Sequence, residues 1–255
     1  MIKYVIASSS SKGNACFIYS KTTLIQIDMG VTLSALNQAI EQTPFELKDI
    51  QGLLITHEHS DHVKGLSLAG YKKLNIPTYA GNTTLENPTY VIEEENSFEI
   101  GDFTIIPVKT SHDANHPLGY ILINGTEKMV YMTDTGYIPE ESLPYMENAK
   151  YYIIESNHDV DMLEKSSRPR DLKNRILSLH GHLSNKDSAG YVSSLIGENT
   201  KEITLAHLSE ECNTPDVTIS TWDKVFKEKG LDIKDYNLRC APASTYIIGG
   251  DKDED

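Results

Sequence analysis

The chain has 255 residues, of which 39% are hydrophobic and 24% are charged, and 37 acidic against 23 basic residues give a formal net charge of −14. This composition supplies enough apolar side chains for a sizeable core and excludes a disordered, fibrous or membrane-spanning protein. The net charge argues against a protein that coats nucleic acid or binds a membrane surface, because both need a positive field, but it leaves room for an enzyme with a local basic patch.

Short apolar segments separated by turn residues predict strands and helices that alternate along the chain. The predicted strands are residues 2–7, 15–19, 24–27, 50–55 and 77–79, two within 98–108, then 120–123, 128–132, 151–154, 203–205 and 246–248. The predicted helices are residues 33–40, 63–71, 171–177, 186–196 and 219–229. This mixture, without repeats or a linker, predicts an α/β fold of stacked layers. We expect one domain over residues 1–250 and a solvated acidic tail over residues 251–255.

The cysteines and the N-terminal residues bear on the compartment. Cys16, Cys212 and Cys240 are odd in number, widely spaced and without a Cys-x-x-Cys pair. A disulfide framework is therefore not expected, and a reducing compartment is favoured. The apolar stretch at residues 4–7 is too short for the hydrophobic part of a secretion signal. We therefore expect a cytoplasmic protein without a membrane partner.

The densest group of reactive side chains lies in residues 56–62, directly after the predicted strand 50–55. This segment contains His57, His59, Asp61 and His62. On a strand these side chains would alternate between faces, whereas on a loop at the end of a strand they can converge on one point. Imidazole and carboxylate groups are ligands of Zn²⁺ and Mn²⁺. A polar surface loop is the alternative, but three clustered histidines predict a metal site.

The pattern His-x-His-x-Asp-His resembles the second motif of the metallo-β-lactamase superfamily. Residues that match the other four motifs stand in the expected order, each just past a predicted strand, and they are Asp28, His112, Asp134 and His207. The match runs from residue 28 to residue 207 and so covers most of the chain. The resemblance implies an αβ/βα sandwich, in which two mixed sheets carry helices on their outer faces and the site lies at one edge of the sheets.

The same resemblance implies a cofactor of two divalent ions, for which five histidines suit Zn²⁺ and leave Mn²⁺ open. The corresponding ligands here are His57, His59 and His112 for one ion, Asp61, His62 and His207 for the other, and Asp134 between the two. Asp28 would orient ligands from behind. Two such ions roughly 3.5–4 Å apart can hold a hydroxide for in-line attack, which predicts hydrolysis without a covalent enzyme intermediate.

Two further residues favour a phosphodiester substrate. Glu155 ends the predicted strand 151–154, and His182 comes shortly before the predicted helix 186–196. They look like the Glu and His of the phosphodiesterase branch that includes tRNA 3′-processing nucleases, where the Glu positions a His that protonates the leaving oxygen. A phosphodiester needs such an acid because an alkoxide leaves poorly. With Asp61 they are the candidate catalytic residues. The alternatives are a structural or ligand-orienting His182 and a polar strand end at Glu155.

A basic segment at residues 165–175 has five cations and one acid in an otherwise acidic chain. It lies between Glu155 and His182 in sequence, so its cations can reach the same cleft and hold substrate phosphates. A solvated helix face is an equal alternative. The candidate phosphate contacts are Arg168, Arg170, Lys173, Arg175 and, with a loop-stabilising role as its alternative, His158.

The whole arrangement most resembles the YycJ/WalJ-like branch of the superfamily, with nearly end-to-end coverage. The shared features include the opening loop 8–13 and the segments 134–137, 155–159, 172–176 and 181–185. That branch is similar to metal-dependent nucleases, with DNA 5′-to-3′ exonuclease activity and a role in DNA repair proposed. Relatives carry paired asparagines where this chain has Glu-Cys-Asn at residues 211–213. No long basic insertion of the kind that grips tRNA is evident, so the resemblance favours DNA as the partner and substrate.

Two other functions stay open. One is a hydrolase of small phosphodiesters, cyclic nucleotides, lactones or thioesters, which the net charge of −14 favours over a nuclease. The other is a metal-stabilised regulatory protein with little turnover, against which the complete set of ligands argues.

Overall fold

Two mixed seven-stranded sheets form the framework in a computed structural model, which describes residues 1–251. The strands are β1 (Lys3–Ser10), β2 (Gly13–Tyr19), β3 (Leu24–Ile27), β4 (Ile50–Leu54), β5 (Thr78–Gly81), β6 (Tyr90–Ile92), β7 (Phe98–Ile100), β8 (Phe103–Lys109), β9 (Leu118–Asn124), β10 (Glu127–Met132), β11 (Tyr151–Glu155), β12 (Glu202–Ala206), β13 (Asn237–Cys240) and β14 (Ile247–Gly250). The first sheet has the order β14-β1-β2-β3-β4-β5-β6, and the second runs from β7 to β13 in sequence order. From β14 to β6 in the first sheet, and from β7 to β13 in the second, three antiparallel strand pairs are followed by three parallel pairs.

Helices cover the outer face of each sheet. They are α1 (Leu33–Ile40), α2 (Ser60–Val63), α3 (Ala69–Lys72), α4 (Leu143–Met146), α5 (Val160–Lys165), α6 (Arg170–Ile176), α7 (Asn185–Leu195) and α8 (Pro215–Glu228). Leu36 of α1 packs with Phe17 of the first sheet, whereas Trp222 of α8 packs with Ile154 of the second. The predicted α/β sandwich is confirmed. Among the helices of residues 1–251, none has the length and apolar character that crossing a membrane requires.

A third apolar layer lies between the two sheets. Ile6 and Ile18 from the first sheet are buried there together with Phe103, Tyr120 and Ile153 from the second. Burying one large apolar side chain stabilises a fold by about 1.5–3 kcal/mol, so this shared layer holds the two sheets together. We propose on this ground that residues 1–250 form one domain.

Residues 252–255 of the predicted acidic tail lie outside the described part of the chain. Asp251 does not behave as a solvated tail residue: its Oδ1 accepts hydrogen bonds from Lys150 Nζ and from the Tyr151 hydroxyl, each at 2.6 Å. The predicted tail is therefore wrong at its first residue, because two donors of the second sheet fix that carboxylate.

The predicted helix over residues 63–71 is also wrong as a single element. The segment forms α2, a 3₁₀ turn at Lys64–Ser67 and then α3. Leu68 between them has an extended backbone, with ψ at 124°. The 3₁₀ turn is held against the loop after β3, because the Gly65 amide donates to the Met29 carbonyl oxygen at 2.8 Å and a Cβ atom at Gly65 would lie 2.7 Å from that oxygen.

The loops that carry the candidate site follow strand ends with an unusual backbone. Asp28 follows β3, Asp134 follows β10 and His207 follows β12, with φ angles of 58°, 55° and 54°. Residues with a Cβ atom rarely occupy this left-handed region, and such conformations persist where the surrounding structure imposes them, often at functional sites. The strand ends therefore turn these three side chains sharply out of the sheets.

Gly30 is the closest point between the loop after β3 and the segment that carries Asp61. A Cβ atom at Gly30 would lie 1.5 Å from the Asp61 carbonyl oxygen and 2.9 Å from the Asn14 amide nitrogen. We expect Gly30→Ala to lower the free energy of unfolding by about 1–3 kcal/mol, because the two backbone segments must separate. Urea denaturation of the metal-free protein measures this. In Gly190→Ala the new methyl group meets no atom of the described residues within 4 Å apart from its chain neighbours and the backbone of its own helix, and an equal loss there would contradict the argument.

Candidate metal centre

Three imidazoles meet at the edge of the sheets where the two sheets face each other. His57 and His59 come from the loop after β4, and His112 comes from the loop after β8. One ring nitrogen from each lies within 4.8 Å of the others. His112 donates from Nδ1 to the Gly181 carbonyl oxygen at 3.1 Å, while its Nε2 lies 3.3 Å from His59 Nδ1. The Gly181 contact leaves the His112 Nε2 lone pair free for a metal ion.

Asp134 lies at the middle of the cluster. Its Oδ2 is 3.3 Å from His62 Nε2, and its Oδ1 is 3.3 Å from His207 Nδ1 and 4.0 Å from His112 Nε2. Burial raises the pKa of Asp134, but the neighbouring His207 and His62 imidazoles outweigh burial and hold this pKa well below its ordinary value. An ionised carboxylate between histidines from both sheets occupies the place that a bridging ligand requires.

The three ligands predicted for the second ion, Asp61, His62 and His207, do not form one compact group. His62 Nε2 lies 3.6 Å from Asp61 Oδ2. His207, however, groups within 4.8 Å with Asp134, Glu155 and His182, rather than with Asp61 and His62. The rings of His62 and His207 are 6.3 Å apart between their centroids. The structure therefore brings all seven predicted ligands to one edge, and Asp134 groups with His57 and His62 as well as with His207.

The cluster contains buried polar atoms that lack hydrogen-bond partners among the described residues. These atoms are His57 Nε2, Asp134 Oδ2 and His207 Nε2. Leaving such an atom unpaired costs about 1–3 kcal/mol, so a folded protein normally satisfies it. Divalent ions bound to these nitrogen and oxygen atoms would satisfy all three, and the donor set is the kind that Zn²⁺ prefers. The residues present therefore fit a divalent metal centre.

Asp28 supports the cluster from behind. Its carboxylate accepts hydrogen bonds from the Thr56 amide at 2.8 Å, the Thr56 hydroxyl at 2.8 Å and His62 Nδ1 at 2.7 Å. Asp28 and His62 are both fully buried. Because His62 donates from Nδ1, its Nε2 is directed to Asp61 and Asp134, as expected for a ligand oriented by a second carboxylate.

Glu155 holds two imidazoles at once. Its Oε1 lies 2.8 Å from both His182 Nδ1 and His207 Nδ1, and its Oε2 accepts from the amides of Thr135 and Leu183 at 3.0 and 3.1 Å. Burial raises the pKa of Glu155, but the His182 and His207 contacts outweigh burial and lower this pKa to about 2. Both imidazoles therefore donate from Nδ1 to one carboxylate. The Nε2 atom of each ring is left free to contact a metal ion or a substrate.

Comparison with known proteins identifies the family. The family model described as the β-lactamase superfamily domain matches residues 23–207, which carry this histidine and aspartate cluster. The chain belongs to the metallo-β-lactamase superfamily. It is 33% identical to the exodeoxyribonuclease YycJ of Bacillus anthracis over 91% of this chain and 92% of that protein. It is 34% identical to the exodeoxyribonuclease WalJ of Streptococcus pneumoniae serotype 2 (strain D39) over 92% of this chain and 93% of that protein.

A solved structure shows the same fold. The metallo-β-lactamase fold protein YhfI of Bacillus subtilis is 16% identical and superposes with a TM-score of 0.71, covering 97% of this chain and 99% of that one. The predicted family and fold are thus confirmed. The protein is a metal-dependent hydrolase, and the superfamily together with the clustered ligands confirms divalent metal ions as its cofactor.

Metal uptake by this member of the superfamily should release protons. Burial lowers the pKa of His207, but the Asp134 and Glu155 carboxylates outweigh burial and raise this pKa to about 9 in the metal-free chain. His207 thus holds an extra proton below pH 9, and a metal ligand must give that proton up. The Asp28 and Asp134 carboxylates likewise outweigh burial and raise the pKa of His62 well above its ordinary value. At pH 8 we therefore expect about one to two protons released per protein on metal binding. Titration calorimetry in Tris and in HEPES measures it; identical enthalpies in both buffers would contradict the expectation.

The predicted phosphate contacts separate into two groups. Arg168 and Arg175 line a cavity of about 150 Å³ together with His182 and His207. Arg170 is exposed and pairs with Glu164, with 2.6 Å between Nη1 and Oε2. The structure therefore brings two of the four predicted cations to the cleft.

Lys173 and His158 are both buried, and neither lines this cavity. The Lys173 side chain is buried, and its Nζ donates to the carbonyl oxygens of Glu164 and Ser166 at 2.6 and 2.8 Å. His158 is 1% exposed, and its carbonyl oxygen accepts from the Asn185 amide where α7 begins. Burial lowers the pKa of His158 to about 4. The burial of Lys173 against backbone carbonyl oxygens fits neither phosphate binding nor the solvated helix face. The burial of His158 favours its loop-stabilising alternative.

Sequence reasoning missed Asn14. Its Nδ2 lies 3.0 Å from His62 Nε2 and 3.4 Å from Asp61 Oδ2, and it also donates to the Ser10 carbonyl oxygen. The available signal is that Asn14 is a buried amide in β2, whose other residues are apolar, small or aromatic. A buried amide at a strand start needs a partner, and the partner here is the metal cluster.

Proposed function

We propose that this protein is a metal-dependent exodeoxyribonuclease, which removes nucleotides from DNA ends by hydrolysing phosphodiester bonds. The observation that carries the proposal is the position of His182, which Glu155 holds at 2.8 Å beside the metal cluster and which lines the cavity shared with Arg168 and Arg175. A group that can protonate a leaving oxygen, next to cations that attract phosphate, suits an alkoxide leaving group. The two exodeoxyribonuclease relatives, each matched over more than 90% of its length, support DNA as the substrate.

The chain's own residues have defined tasks in this reaction. Divalent ions held by the histidines and aspartates would supply an acidic bound water and stabilise charge on the scissile phosphate. Glu155 fixes the His182 ring by accepting from Nδ1, so Nε2 is the atom that carries a proton to the leaving oxygen. Asp28 and Asn14 hold His62 and Asp61 in place. We propose Zn²⁺ as the resident ion, because five imidazoles outnumber the carboxylates in the predicted ligand set.

The proposal is tested with purified protein and DNA labelled at one end, single- or double-stranded, in the presence of added Zn²⁺ or Mn²⁺. We expect metal-dependent shortening from one end, which the position of the label reveals. The His182→Ala protein serves as the matched inactive variant. Intact DNA under every condition, with metal bound to the protein by elemental analysis, would overturn the proposal.

A second candidate is a hydrolase of small phosphodiesters, which the net charge of −14 favours because a strongly negative protein repels a polyanion. The two candidate functions predict different inhibitors of the hydrolysis of a common test substrate. If an oligonucleotide fails to inhibit hydrolysis of bis(p-nitrophenyl) phosphate while a cyclic nucleotide inhibits it, the small-substrate hydrolase is the better description.

A further inference from the structure

A small cavity beside His182 is lined by charged and polar side chains as well as by apolar ones. Arg168 and Arg175 stand on its polar side, together with the hydroxyl-bearing Ser11 and Ser209. Its apolar side is formed by residues of α6 and of the loop after β12, which are Leu172, Ile176 and Leu208. We call this cavity of about 150 Å³ the arginine pocket. Its size admits one small charged group, whereas a continuous strand requires a long groove.

The two guanidinium groups are held in place but keep free donors. Arg175 donates from Nε and Nη2 to the Asp113 carboxylate at 2.5 and 2.9 Å. Arg168 donates from Nε to Glu211 at 3.1 Å and from Nη2 to the Ser209 hydroxyl at 3.3 Å. Each contact set uses two of the five N–H groups that a guanidinium offers. The remaining donors of both side chains are available to an anion in the pocket.

The place of His182 decides which part of a DNA strand lies near the pocket. If His182 protonates the 3′ oxygen that leaves, the nucleotide attached to that oxygen lies on the His182 side of the centre. The 5′-phosphate of that nucleotide is then one nucleotide away from the bond that breaks. His182 and the two arginines line the same pocket, so the leaving nucleotide and the pocket are on the same side.

Charge distinguishes a terminal phosphate from an internal one. A phosphate monoester carries about −1.5 to −2 charges at pH 7, and a diester in the strand carries one. The Glu211 and Asp113 carboxylates offset much of the charge of Arg168 and Arg175, so the preference for the terminal group comes from the remaining N–H donors of the two arginines. The protein as a whole has a net charge of −14, so capture of DNA has to come from local contacts of this kind.

We propose that the arginine pocket binds the 5′-terminal phosphate of a DNA strand and thereby places the first internucleotide bond at the metal centre. This inference rests on the proposed nuclease function and deepens it, because it gives a structural reason for cleavage at ends and for 5′ polarity. Arg168 and Arg175 are the residues that recognise the end.

Binding without catalysis tests the pocket directly. The probe is a single-stranded oligonucleotide with nuclease-resistant phosphorothioate linkages, a 3′ fluorescein and either a 5′-phosphate or a 5′-hydroxyl. It is titrated with the metal-loaded protein and followed by fluorescence anisotropy. We expect the wild-type Kd to be about tenfold lower for the 5′-phosphate, the gain of roughly one charge-assisted contact. The ratio of the two Kd values should fall towards one in Arg168→Gln and in Arg175→Gln. Arg170→Gln, which removes the same charge outside the pocket, should keep the wild-type ratio.

Each outcome has a definite meaning. Because the ratio compares two probes on one protein, a partly folded variant does not change it. Equal wild-type Kd values for the two probes, or an unchanged ratio in Arg168→Gln, would each overturn the pocket assignment. If the metal-loaded protein degrades DNA although its Kd ratio is one, the nuclease function stands and the pocket fails. If the ratio is about tenfold and no DNA is degraded, the pocket stands as a phosphate site and the nuclease function fails.

Discussion

Asp134→Ala should lose its divalent metal and its hydrolase activity together. Asp134 is buried, and its two oxygens lie 3.3 Å from His62 Nε2 and from His207 Nδ1. It therefore belongs to two candidate metal groups, one with His57 and His62 and the other with Glu155, His182 and His207. Residues that merely support a ligand cost about 10–100-fold in metal affinity when they are removed. A bridging ligand should cost more, and without metal the hydrolysis rate should fall at least about 1000-fold.

Elemental analysis after dialysis measures the metal, and release of p-nitrophenol from bis(p-nitrophenyl) phosphate measures the rate. Asp223→Ala is the matched control, because Asp223 lies on α8 and pairs with Lys227 at the surface. It should keep its metal and its rate. A fully active Asp134→Ala protein that binds metal normally would show that the assignment of the centre is wrong.

His182→Ala should slow DNA hydrolysis by about 100–10,000-fold while the metal content stays unchanged. The reason is that His182 donates from Nδ1 to Glu155, and its Nε2 is free to serve the leaving oxygen. The loss should depend on the leaving group: it should be large for an alkoxide, as in DNA, and small for p-nitrophenolate, which leaves without a proton. Comparing the rates of wild type and variant on both substrates measures this difference.

The alternative role of His182 makes a different prediction. His182 also lies within 4.8 Å of Asp134, Glu155 and His207, a grouping that could itself hold a metal ion. If His182 were a ligand, its loss would reduce metal content and would slow both substrates equally. His116→Ala controls for loss of an imidazole, because His116 pairs with Glu94 at 2.8 Å outside the cluster.

Most of the metal ligands were predictable because they lie in loops just past a strand, whereas Asp61 and His62 belong to the short helix α2 that follows such a loop. The predicted strand 50–55 ends at Leu54 in the structure, and the predicted strand 203–205 extends by one residue at each end. Shifts of this size leave His57 and His207 in the loops where the ligands meet. A loop at the edge of a sheet needs only the strand order to bring ligands together, and the family motifs supply that order.

Other parts of the structure depend on contacts that local sequence does not encode. The short strands β6 and β13 lie at sheet edges, and their pairing partners β5 and β12 are needed to recognise them. The helix α5 begins where Asp159 accepts from the Met162 amide, a cap that the sequence reading passed over. Each of these elements is short, so periodicity had few residues on which to act.

Side-chain roles in the basic segment were the hardest to predict. Lys173 and Arg175 are two residues apart in α6, yet the first is buried against backbone carbonyls and the second lines the arginine pocket. Their helix is placed by Ile176 and Leu163 in a small apolar cluster, which decides the face that each cation occupies. The double role of Glu155 is likewise a matter of tertiary position, since His182 and His207 come from separate loops 27 and 52 residues away.

The strand directions give the centre an internal two-fold character. Because each sheet has three antiparallel pairs followed by three parallel pairs, β3 in the first sheet corresponds to β10 in the second. Asp28 follows β3 and Asp134 follows β10, both at φ angles near the same value, 58° and 55°. One aspartate faces the cluster and the other supports His62 from behind. The two halves thus share one backbone geometry at equivalent strand ends, and the aspartates at these two positions have different tasks in the centre.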